Sequence, residues 1–105
     1  MKKDHLFHSV FFELKDPSEP FIEKLIEDSK TYLSCQQGIL SFHTGRIAEE
    51  HDRDVNMRNY HVSLHIVFES RKDHDDYQVS DDHNIYVERN KDNWKAVRVY
   101  DSFVQ

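Results

Sequence analysis

Cysteine occurs once in these 105 residues, glycine twice and proline twice. A lone Cys35 excludes an intramolecular disulfide and points to a reduced, cytoplasmic setting, with the thiol expected as a small buried hydrophobe near a helix end. So few glycines and prolines exclude collagen-like and low-complexity chains. Long apolar runs are also missing, so no segment reads as a membrane span. The basic opening Met1-Lys2-Lys3 leads into Asp4 and His5 rather than into an apolar signal region. Positive charge is in deficit, with 14 Lys and Arg against 20 Asp and Glu, a net charge of −6. Such a surface repels phosphates, and no basic stripe interrupts it, which argues against a nucleic-acid partner.

What is present is aromatic. Only 37% of residues are hydrophobic, yet seven Phe, five Tyr and one Trp make up 12% of the chain. Large rings must therefore fill much of the interior, or a partner must complete it. The length suits one domain spanning residues 1–105.

Residues 6–15 alternate as a strand, with Leu6, His8, Val10, Phe12 and Leu14 on one face and Phe7, Ser9, Phe11 and Glu13 on the other. After a break at 16–20, with Ser18 or Glu19 as cap, Phe21, Ile22, Leu25, Ile26, Ser29, Tyr32 and Leu33 form one helical stripe. Gly38 closes the helical region and residues 39–47 alternate as a second strand. Residues 48–59 are charged and aperiodic, which predicts a solvated loop. Residues 60–70 form the clearest strand, with Val62, Leu64, Ile66 and Phe68 on one face. Ser70 with Asp73 gives a capping-box pattern for a short helix carrying Tyr77, and Ser80 opens another carrying His83. The last strand spans 95–104, with Val97, Val99, Asp101 and Phe103 on one face.

This order is a split βαβ arrangement, which predicts an α+β, ferredoxin-like domain with a four-stranded antiparallel sheet and helices on one face. The helix-free face would carry Phe7, Phe11, Val67 and Tyr100, more apolar surface than a soluble monomer usually exposes. Pairing two such faces predicts a homodimer.

At this point the chain resembles the stress-responsive α/β-barrel (Dabb) family. The matching residues are His8, Val10 and Phe12 in the first strand, Gly38-Ile39 and Gly45 around the second, and Tyr60 and Phe68-Glu69-Ser70 bracketing the third. Tyr77 with His83 six residues on, then Trp94, Val97, Val99 and Asp101, complete the pattern. The resemblance implies two sheets closing into a dimeric α/β barrel. Many members have no assigned activity, and one plant branch closes polyketides by cofactor-free aldol chemistry with a Tyr/His pair assisted by a His on the first strand. By position these are Tyr77, His83 and His8 here. The resemblance further implies a cavity between sheet and helices lined by Phe12, Leu25, Ile26, Leu64, Ile66, Trp94 and Val97. Ser80-Asp81-Asp82-His83 stands where the family often has His-Pro-Ala-His. A related barrel group degrades haem with a first-strand Asn, and the first strand here has none.

The residues themselves allow the same chemistry. His8 lies on the strand face that the helices cover, and Tyr77 and His83 come from the covering segment, so a base near neutral pKa and a proton donor could meet in an apolar cavity. Two functions follow: binding of a small apolar or aromatic molecule, or cofactor-free cyclase- or isomerase-type catalysis by these three residues. In a third reading the cavity is plugged by its own side chains and the histidines bond within a filled core. His61 and His65, four apart on one strand, lie about 13 Å apart, too far to share a metal, and are expected in a dimer interface. The run 49–54 is expected as solvated charge. No cofactor or metal site is expected.

Overall fold

The computed structural model describes residues 4–105. The elements run β1 (Leu6–Leu14), α1 (Glu19–Leu33), β2 (Ile39–Arg46), β3 (Val62–Phe68), α2 (Arg71–Gln78), α3 (Asp81–Asn90), a 3₁₀ turn (Lys91–Asn93) and β4 (Trp94–Phe103). The strands form one antiparallel sheet in the order β2-β3-β1-β4. This is the ferredoxin-like topology that the element order predicts. Among the described residues no helix is long and apolar enough to cross a membrane.

Alternation decides which face of the sheet is buried. Leu6, Val10, Phe12 and Leu14 of β1 and Val62, Leu64, Ile66 and Phe68 of β3 are all buried, because the two central strands send their period-2 apolar set toward the helices. From α1, Leu25, Ile26 and Leu33 meet them, and from α2 and α3, Tyr77 and Tyr86. A Leu64→Ala change in this layer would cost about 2–5 kcal/mol through lost transfer energy and the void left behind. The edge strand β4 is covered less: Val97, Val99 and Phe103 share the helix-side face, yet each is at least two-fifths exposed. Residues of α2 reach that edge only toward its C-terminal end, Arg71 over the Phe103 ring and His74 near Asp101, and this leaves the layer open beside Val97 and Val99.

Helix starts follow the sequence signals. Ser18 caps α1 with Pro20 in the first turn, although its side chain makes no capping bond. Ser70 Oγ accepts from Asp73 N–H and donates to its carboxylate, and Ser80 Oγ accepts from His83 N–H. Gly38 sits at φ +86°, where a Cβ would strike the Asp73 carboxylate, so only glycine lets α1 turn into β2 beside α2.

Two expectations are corrected. Cys35 is exposed rather than buried: α1 makes its last core contact at Leu33, and the thiol lies beyond the Ser34 cap on the outer side of the turn. His61 does not join His65 on the helix-free face. It precedes β3, and its Nδ1 accepts from Leu14 N–H at 3.0 Å, where the register of β1 against β4 shifts. His65 does lie on that face, bonded to Ser9 and Ser63.

Candidate functional site

The opening beside β4 is the mouth of a cavity of about 240 Å³ between the sheet and α2/α3. Its floor is apolar: Val10, Phe12, Leu64, Val97 and Val99 come from the sheet, and Tyr86 and Trp94 close one end. Its polar groups gather around His8.

The β1–β4 register sets His8 directly opposite Asp101, so both side chains project from the same face of the sheet. His8 Nδ1 lies 2.6 Å from Asp101 Oδ1. Burial lowers the His8 pKa from its ordinary value; the Asp101 hydrogen bond and charge raise it without overcoming that loss of hydration, and His74 lowers it further. His74, from α2, stacks edge-on to His8 with ring centres 4.9 Å apart, and Tyr77, one helical turn on, comes within 5.9 Å of it.

Tyr77 faces His83 across the gap between α2 and α3, with ring centres 5.0 Å apart. Burial pushes the Tyr77 hydroxyl well above the usual phenol range, so it is held protonated as a donor. Burial lowers the His83 pKa, and the His8 and His74 imidazoles add to the effect, which favours the neutral base. Among the described residues neither the Tyr77 hydroxyl nor the His83 ring has a hydrogen-bond partner in the protein. The polar atoms that are shielded from solvent without a partner are, among the described residues, His74 Nε2 and Trp94 Nε1, and both residues line this cavity. Buried polar groups are normally paired, so unpaired ones converging on a single void mark a place where something else completes them.

The structure brings His8, Tyr77 and His83 together, with Phe12, Leu64, Trp94 and Val97 on the cavity wall. It separates the other three pocket candidates. Ile26 and Ile66 are filled-core residues, and Leu25 borders a smaller cleft with Leu14, Phe21 and Asn90. His74 was hidden from sequence reasoning inside the charged run Arg71–Gln78, which reads as an outer helix face. Its i, i+3 spacing to Tyr77 was the one available signal.

The chain belongs to the stress responsive A/B barrel domain family, whose model matches residues 6–104. No curated protein matches the sequence. Solved structures do. A Dabb family protein with a ferredoxin-like fold from Mesorhizobium loti is 21% identical at a TM-score of 0.79, over 97% of this chain and 98% of that one. A dimeric ferredoxin-like protein of unknown function from Thermobifida fusca aligns at a TM-score of 0.80 and 12% identity, over 99% and 94% of the two chains. The hydroxynitrile lyase of Passiflora edulis aligns at 0.78 and 15% identity, over 98% and 95%. At these identities the likeness carries the fold.

Proposed function

We propose that this member of the stress responsive A/B barrel family binds a small, largely apolar or aromatic molecule carrying an oxygen function in the cavity beside β4, and does so as a homodimer. The observation behind the binding reading is the pair of unpartnered groups, the Tyr77 hydroxyl and the His83 ring, facing an apolar void. At about 240 Å³ the void falls below the roughly 300–1,000 Å³ of drug-sized pockets, which favours a compact ligand of one or two rings. Tyr77 donates to the ligand oxygen, His83 accepts from or donates to it, and the rings of Phe12, Tyr86 and Trp94 supply contact area.

The helix-free face supports the dimer. Phe7 is 49% exposed and Tyr100 62%, and Phe11 packs edge-on to both Tyr60 and Tyr100 there. Such a patch is covered most economically by its symmetry mate, and the T. fusca protein of the same fold is dimeric. The exposed single thiol suits a reducing, cytoplasmic setting.

A second reading, cofactor-free catalysis of aldol-cyclase or isomerase type, is favoured by the depressed pKa of His83 beside a phenol donor. His83 would take a proton next to a carbonyl, Tyr77 would donate to the developing enolate oxygen, and Asp101 would orient His8. The same fold carries a lyase in P. edulis.

Native mass spectrometry of protein purified from its own host tests both halves. The expected result is twice the chain mass plus a small-molecule adduct that disappears when Val97→Phe fills the mouth of the cavity. An adduct unaffected by that change sinks the site, and a monomer sinks the dimer. With the adduct identified, His83→Ala and Tyr77→Phe separate the two readings: loss of turnover with affinity retained means catalysis, and loss of affinity alone means binding.

A further inference from the structure

We infer that His8, His74 and Asp101 form a site for a divalent first-row transition ion of the zinc type, at the mouth of the cavity.

The three residues come from three elements, β1, α2 and β4, and each offers a ligand atom; these atoms lie within 4.8 Å of one another. Three groups bound to one ion at about 2.1 Å must lie within about twice that distance of each other, so small side-chain adjustments suffice. The imidazole of His8 is fixed by the cross-strand pairing with Asp101, at 2.6 Å. An ion would replace the proton that this pair shares.

His74 carries the argument. Its Nδ1 is engaged by the Asp75 carboxylate at 3.1 Å, which orients the ring and turns Nε2 inward. That Nε2 is shielded from water and bonds to nothing. A histidine held by a carboxylate on its outer nitrogen, with the inner nitrogen free, is the arrangement that metal-ligating histidines adopt. A solvated-face histidine needs neither the carboxylate nor the burial.

The donor set selects the class of ion. Two imidazoles and one carboxylate suit zinc, cobalt or ferrous iron, whereas magnesium and calcium prefer oxygen alone. Three protein ligands leave at least one coordination position open, and because all three residues line the cavity, that position faces it. No metal site is expected from the sequence; Asp101 lies 93 positions from His8 and His74 sits in an acidic run, so only the fold brings the three together. The inference goes beyond the binding reading and is independent of it, since the test uses the metal alone.

Metal-free protein would be titrated with Co²⁺ and followed by visible absorption, with Zn²⁺ then added as competitor. The expected result is a single saturable site whose d–d bands report mixed nitrogen and oxygen ligation and which Zn²⁺ bleaches. His74→Ala and Asp101→Asn should each weaken binding by at least about tenfold, while His51→Ala, in the exposed loop, should leave it unchanged. Circular dichroism would confirm that each variant is folded. Should His74→Ala not fold, Asp101→Asn, at the exposed edge strand, decides alone. Absence of a Co²⁺ spectrum overturns the inference, and so does a spectrum that survives the substitutions at His74 and Asp101.

Discussion

The two ends of α3 carry polar side chains into the same layer between sheet and helices, and they are completed differently. At the C-terminal end Arg89 donates from Nε and Nη2 to the two oxygens of Asp28, Asn90 Nδ2 donates to the same carboxylate and to Tyr86 O, and Lys24 completes the cluster. Ser29 Oγ donates to Leu25 O and bonds the Tyr86 hydroxyl at 3.0 Å. At the N-terminal end His83 and Tyr77 find no protein partner, and His74 presents a bare Nε2. The first end is a closed network that fixes α3 against α1. The second is left open, with the Tyr77 hydroxyl, the His83 ring and His74 Nε2 unpaired beside the cavity. Polar groups at equal depth can thus serve opposite purposes, and the count of satisfied bonds tells them apart.

Breaking the closed end should give the largest effect. Asp28→Ala strands Arg89 and Asn90, and the expected cost is about 2–3 kcal/mol, read from urea unfolding midpoints; the partial exposure of Arg89, whose side chain is 46% accessible, keeps the figure below that of a fully buried pair. A loss under about 0.5 kcal/mol would mean that the network is surface decoration.

Acid should loosen the same end by a smaller amount. Burial pushes the Asp28 carboxyl up, but hydrogen bonds from Arg89 and Asn90 and the charges of Arg89 and Lys24 outweigh it and hold the pKa below the usual carboxylate range. The folded state therefore binds fewer protons than the unfolded one as pH falls below about 4. Its contribution is present above the unfolded pKa and is lost as pH drops through the folded one. Asp28→Asn should accordingly cost stability at pH 6 and progressively less toward pH 3. A constant difference across that range would show that the charge of Asp28 is not what matters.

The strands and the open end were largely legible in the sequence, and the closed end was not. Alternation in β1 and β3 is a local signal, and it put His8 on the covered face. Ser80 announced the helix start that places His83 in its first turn. Asp28, Arg89 and Asn90 carry no periodic or capping signal of their own, because what unites them is the packing of α1 against α3, 61 residues apart in sequence. The same reason hid His74. Cys35 misled in the opposite direction: an apolar helix end suggests burial, but the stripe runs out at Leu33. Period and capping are written within one element, whereas a contact between elements depends on the angle at which they cross.

Two tyrosines sharpen the comparison with one substitution. Tyr77 and Tyr86 are each 2% exposed, and burial raises the pKa of both phenols. Tyr86→Phe removes the donor to Ser29 and should cost about 1 kcal/mol.

Tyr77→Phe should give the smallest change of all, within about 0.5 kcal/mol of zero, because the hydroxyl it removes pairs with no group of the folded chain and can be hydrated at the cavity in the folded state as it is in the unfolded one. The ring stays, and with it the edge contacts to Phe68 and His83 at 5.0 Å each. A single pair of urea curves checks this against Tyr86→Phe under identical conditions. Equal losses at the two positions would mean that the Tyr77 hydroxyl is bonded within the fold, and the open end would then be as closed as the other. A loss at Tyr86 with none at Tyr77 leaves the latter hydroxyl free for whatever enters the cavity, since a donor that adds nothing to folding has its hydrogen bond available to a ligand.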